Sequence, residues 1–231
     1  MTTPPSAARQ TLICEFITGL ESDGIYNKLD LLYVFAAHDS QAAFLNWIDA
    51  AFDSTLVTGS FTTDVGIAPS PNIIINTNYA PLTDSTNYAS NDGSQGGVWS
   101  GSNANGVLVG NRNGSVNNIL RGNTTDIRGL IQGTANTITA SPPIGFVGDV
   151  INSGTVTRFK DGSLIDTQSG TVNSGFDGVS TFYVGARNTN NTTLDIVETS
   201  ATIQLAYCSS ALTPTEMANF YSRWTTYLAG L

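Results

Sequence analysis

The chain has 231 residues and a formal charge of −9, carried by nine Lys and Arg against eighteen Asp and Glu, and charged residues are only 12% of the total. Those cations form no cluster, which excludes a nucleic-acid surface, since that needs grouped Lys and Arg to displace counterions. No run approaches the roughly 18 apolar residues of a membrane span, so membrane insertion is not expected.

The first residues, MTTPPSAARQ, lack the basic-then-apolar order of a signal peptide and point to a chain made and folded in the cytoplasm. Ser6 can cap a helix running to Leu20, with Leu12, Ile13, Phe16, Ile17 and Leu20 as its apolar face. The ESDG turn, Glu21 to Gly24, ends it. Leu29 to Ala36 is apolar on both faces and ambiguous between strand and helix; a strand is preferred. Asp39 or Ser40 then caps a short helix containing Ala42, Ala43, Leu45 and Trp47. Residues 1–50 read together as an N-terminal helical leader or attachment segment, and 51–231 as the main domain.

From Phe52 onward, short apolar runs alternate with turn residues about every ten positions, which argues for a sandwich or barrel and against βαβ units. Asp92–Gly93, Asn113–Gly114, Asp161–Gly162 and Asp177–Gly178 are turn signals, and TVTRFKDGSLIDT reads as a hairpin closed at Asp161–Gly162. The Asn/Ser/Thr/Gly stretch from Thr83 to Gly106 suggests that it includes a long exposed loop, with GGVWSG as one of the short apolar runs. Near the end, ATIQLAYCSSAL alternates as a half-buried strand, with Ile203, Leu205 and Tyr207 on one face. Thr213, Pro214 and Glu216 then form a capping box. Met217, Phe220, Tyr221, Trp224 and Leu228 make an apolar stripe that must fold back onto a sheet. Cys14 and Cys208 each lie in apolar segments and read as buried free thiols.

The order RFKDGSLIDT, FYVGARN, a polar loop and IQLAYCSSALTPTEMANFYSRW resembles the end of concanavalin A-like, laminin-G-like sandwiches. The segment GIYNKLDLLYVFAAHDSQAAFLNW is similar to the leader of phage and prophage proteins of that kind. The resemblance implies a mainly β, jelly-roll β-sandwich with the N-terminal leader and a short closing helix. It also implies a virion setting, with assembly in the host cytoplasm as a homo-oligomer against other virion proteins. The family includes lectins, glycosidases and adhesion modules, so the fold alone assigns no function.

Chemistry was sought residue by residue. In TLDIVET, Asp195 and Glu198 have the spacing of a glucanase acid pair, but Thr193 stands at the nucleophile position, and the odd offset aims the two at opposite faces of a strand. His38 is the sole histidine, and a capping or packing role suits it. One His and two distant Cys lack zinc spacing. Calcium remains a candidate through Asp92, Asp126, Asp149 and Asp177, although no calcium-loop array is present and each Asp suits a turn. Sugar recognition would use Trp99 as a platform beside Asp92, Gln95, Asn103, Asn105 and Arg112, unless Trp99 packs inside a strand. Trp47 and Trp224 sit on predicted core faces. The reading that follows is a non-enzymatic virion structural protein, a capsid decoration or tail-fibre component, with the leader as its contact segment. The alternative is a carbohydrate-binding adhesin using the Thr83–Arg112 region and a host-surface glycan; a glycoside hydrolase comes third.

Overall fold

Local capping signals set the helices. Helix α1 (Ala7–Ser22) begins where the Ser6 hydroxyl accepts the Arg9 amide. Helix α2 (Ser40–Ala43) begins at Asp39, whose carboxylate accepts the Ala42 amide. Helix α3 (Pro214–Ala229) opens with the expected reciprocal box between Thr213 and Glu216. The computed structural model describes residues 4–89, 92–101, 104–113, 116–123, 125–131, 134–139, 142–169 and 180–231. Asn103, Gly114 and the Asp177–Gly178 turn lie outside the described residues.

The strands, in chain order, are β1 (Leu29–Val34), β2 (Thr55–Thr58), β3 (Ser60–Thr62), β4 (Gly66–Ala68), β5 (Ile74–Asn76), β6 (Asp92–Ser100), β7 (Gly106–Asn113), β8 (Val116–Asn123) and β9 (Asp126–Ile131). They continue as β10 (Thr134–Thr139), β11 (Gly145–Asn152), β12 (Thr155–Lys160), β13 (Ser163–Ser169), β14 (Tyr183–Val184), β15 (Arg187–Thr189), β16 (Thr193–Asp195) and β17 (Thr202–Ser209). One sheet runs β13-β12-β11-β6-β17-β4-β3, with β1 also paired to β17; the other runs β10-β9-β8-β7-β14-β5-β2, with the β15–β16 hairpin joined to β7. The two sheets form a mainly β sandwich with helices near both ends of the chain.

Two apolar cores result. Between the sheets, Tyr33, Ile75, Tyr79, Trp99, Leu120, Ile127, Phe182 and Ile203 pack together. On the outer face of the first sheet, a second core joins α1 and α3 to the strands beneath. Phe220 of α3 lies 5.0 Å from the Tyr207 ring and 5.2 Å from Phe146, and Phe16 of α1 lies 5.3 Å from Tyr227. The α3 stripe is thus buried at Met217, Phe220, Trp224 and Tyr227, with Tyr221 and Leu228 at its margin. Cys14 faces solvent on α1, contrary to the buried thiol expected; Cys208 is buried.

Residues 1–50, read as a leader, contribute β1, all six residues of which are buried. It is hydrogen-bonded to β17 from Leu29↔Ser209 to Val34↔Leu205. The alternation expected for the last strand also changes. A register shift between Ile203 and Leu205 against β6 turns Ile203 into the inter-sheet core and Leu205 and Tyr207 toward the helices.

The stretch from Thr83 to Gly106, expected to include a long exposed loop and a short apolar run at GGVWSG, contains the longer β6, which pairs with β11 on one side and β17 on the other. Its composition disguised it, because the glycines permit close approach. A Cβ on Gly93 would sit 2.3 Å from the Tyr88 ring, so Asp92–Gly93 is strand and not turn. A Cβ on Gly97 would sit 2.1 Å from the Leu205 carbonyl oxygen, a backbone atom that cannot rotate away. Gly97→Ala should cost roughly 3 kcal/mol, at the upper end of the overpacking range. A denaturant midpoint unchanged from the parent would show that β6 and β17 can part freely. By contrast, the Asp161–Gly162 hairpin forms as expected, with φ of 49° and 75°, the pair of left-handed residues a type I′ turn requires.

Candidate functional site

The proposed Trp99 patch does not assemble. Trp99 is fully buried in the inter-sheet core, where its indole N–H has no partner among the described residues, so it offers no platform to a sugar. Gln95 is buried too, and neither atom of its amide finds a partner among the described residues. The reason is the strand geometry of β6: residues 95 and 99 share its inward face. Asp92 lies elsewhere, with its carboxylate accepting the Ala211 amide just before α3. Asn105 lines a polar pocket beside Arg121, and Arg112 is a half-buried residue of β7.

The calcium candidates are also dispersed. Asp126 pairs with Arg128, and Asp149 is a buried strand residue paired with Arg158, not a loop ligand. No group of three or more His, Cys, Asp or Glu could hold a metal among the described residues. The acid pair sought in TLDIVET has structural partners. Asp195 forms a two-pronged pair with Arg187, both contacts at 2.7 Å, and hydrogen bonding from that guanidinium holds its carboxyl below the ordinary value. Glu198 is fully buried. One of its oxygens accepts the amides of Asn105, Thr199, Ser200 and Ala201, which ties the loop after β16 to the start of β7.

Two polar pockets lie at the ends of the β15–β16 hairpin, which is joined to the second sheet through β7. Beyond its tip is a pocket of about 270 Å³ lined by Thr181, Tyr183, Asn188, Asn191, Thr193 and Leu194. Tyr183 faces outward because its neighbour Val184 faces the inter-sheet core. Asn191 accepts the Thr181 amide and the Asn188 side-chain amide, 2.9 and 2.7 Å away, so the turn residues are fixed in place. Asn190 and Asn191 adopt φ of 53° and 55°, which Asn tolerates better than most residues. The result is a half-exposed aromatic ring and Leu194 beside amides and hydroxyls.

At the base of the hairpin is a second pocket of about 380 Å³, lined by Asn105, Arg121, Asn123, Arg128, Val197 and Thr199. Arg121 of β8 and Arg128 of β9 are directly opposed in register. Ile196, on the rim, is held at φ 48°, where a β-branched residue is strained.

Sequence reading missed Tyr183, Arg121, Arg128 and Arg187. One signal was present: Arg112, Arg121, Arg128 and Arg187 are four of the few cations in an acidic chain, all in predicted strand runs. What it lacked was the pairing that brings them to one face.

No protein-family model matches the chain, and no curated protein matches it in sequence. Solved structures of the same sandwich architecture do match. A mutant Trypanosoma rangeli sialidase with trans-sialidase activity is 12% identical with a TM-score of 0.59, over 94% of this chain and 39% of that one. The botulinum neurotoxin serotype D binding domain is 12% identical with a TM-score of 0.54, over 86% of this chain and 52% of that one. A further receptor binding domain is 12% identical with a TM-score of 0.56, over 90% of this chain and 52% of that one. The chain therefore spans about two-fifths of the sialidases and half of the binding domains it resembles in fold.

Proposed function

We propose that this chain is a glycan-recognition domain and that its binding face is the outer surface of the second sheet around the β15–β16 hairpin. One observation carries the reading. Tyr183 and Leu194 stand beside Asn188, Asn191 and three threonines in an open pocket, the mixture of apolar surface and amide or hydroxyl groups that matches the two characters of a sugar ring. The occurrence of the same architecture in sialidases, in a neurotoxin binding domain and in a receptor binding domain supports it. In the phage setting implied by the sequence resemblance, the domain would be displayed on the particle, in several copies, and would attach it to a host-surface glycan. A purely structural virion role would use residues 1–50 as contact surface, but their large apolar side chains are turned into the two cores.

The test is a glycan array probed with the intact chain and with Tyr183→Ala. A defined subset of glycans should bind the parent, and the variant should lose about tenfold in affinity while keeping the parent's thermal transition. Binding to no glycan on the array, or a Tyr183→Ala variant equal to the parent on every glycan, would overturn the assignment.

A further inference from the structure

We infer that the pocket at the base of the hairpin receives the oxyanion of an acidic sugar residue, with the Arg121 guanidinium as its counter-charge. The inference rests on the glycan reading and names the class of glycan. Its warrant is a local count of charge. Arg128 is answered by Asp126, with both contacts at 2.9 Å. Arg187 is answered by Asp195. Arg121 has no ion pair among the described residues, and its Nε is buried without an acceptor. A buried donor left unmade is costly, and one belonging to a charged group more so.

The arrangement is also unfavourable for the empty fold. Like charges directly opposite on neighbouring strands repel, and Arg121 faces Arg128 in that relation. Burial first, then the Arg128 and Arg187 charges, push the Arg121 guanidinium below its ordinary value, and the Asp126 carboxylate does not offset them. In a chain with a net charge of −9, this polar pocket thus holds one guanidinium that no carboxylate among the described residues answers. An anion entering there would supply the missing acceptor and relieve the repulsion together. A guanidinium presents two parallel N–H groups that match a carboxylate or a sulfate ester. Asn105, Asn123 and Thr199 are uncharged and line the same space, so they suit the hydroxyls of the sugar that carries the anion.

Affinities of the intact chain should be measured for tetragalacturonic acid, sialyllactose, a tetrasaccharide whose only anions are sulfate esters, and the neutral controls galactotetraose and lactose. At least one acidic probe should bind tenfold or more tightly than its neutral counterpart, and that preference should fall as salt is raised. Arg121→Gln should remove the preference, and Arg121→Lys should retain part of it, while neutral binding at Tyr183 is unchanged in both. The carboxylate and sulfate arms identify which oxyanion the pocket takes. Arg121→Gln should also keep or raise the melting temperature, because it removes the opposed charge. Neutral probes binding as well as acidic ones, or Arg121→Gln retaining the acidic preference, would overturn the inference and leave the glycan reading standing. No binding by any probe would overturn both.

Discussion

Removing residues 1–36 should leave a chain with no cooperative unfolding transition. The segment falls within residues 1–50, which read as an N-terminal helical leader or attachment segment, and it supplies one strand of the first sheet and one of the two helices that cover it. Phe16, Leu20, Leu29, Leu32 and Val34 would be lost from the core beneath the helices, and Leu31, Tyr33 and Phe35 from the core between the sheets. Each fully buried large side chain contributes about 1.5–3 kcal/mol. Eight of them amount to about 12–24 kcal/mol, as much as or more than the roughly 5–15 kcal/mol by which a domain is stable. Trp224, Phe220 and Tyr227 would be bared as well. Thermal denaturation followed by near-ultraviolet circular dichroism is the direct check; a sharp transition and native aromatic signal in the truncated chain would show that the sandwich stands alone. A deletion test of virion association with this segment would report loss of fold before loss of contact.

The second large effect lies inside the sandwich. Asp149 and Arg158 are paired in register on neighbouring strands, both almost wholly buried, with Arg158 Nε 2.5 Å from the carboxylate. Desolvation pushes the Asp149 carboxyl above its ordinary value despite the guanidinium beside it. The pair fits because Gly129 of the facing sheet has no side chain: a Cβ there would lie 1.6 Å from the carboxylate. Breaking the pair with Arg158→Met should cost about 3–5 kcal/mol, because a buried charge is left alone. Replacing both, Asp149→Leu with Arg158→Met, should recover most of that loss, since a buried pair often does no better than apolar residues of similar size. Urea unfolding of the two variants decides it. A double variant as unstable as the single one would mean that the pair contributes net stability.

These positions also show what a sequence discloses. Ser6, Asp39 and the Thr213–Glu216 box were legible because a cap is a local device of a few residues. Asp161–Gly162 was legible because only a few residue pairs suit its turn. Of β6 only the GGVWSG end was legible, because the Gly, Ser and Gln residues before it suit close approach and not strand propensity. The single-residue shift near Gln204 was invisible, since a bulge leaves no mark in an alternating pattern. The binding-site reading failed for a related reason. It grouped Trp99, Gln95 and Asn105 by nearness in sequence, whereas a sandwich gathers its faces from distant strands. Arg121 and Arg128 meet through one hairpin register, and Arg187 joins them from nearly sixty residues on.

The two long helices lie antiparallel, with Leu12 of α1 against Gly230 just after α3, and Gly19 against Arg223. The first and last described residues therefore leave the molecule close together, behind the first sheet. The two polar pockets are on the outside of the second sheet, with the whole thickness of the sandwich between. A tether attached at either described end would leave that face unobstructed. The molecule could be anchored to a sensor chip, or spliced into a surface loop of a carrier, with both connections made from the back.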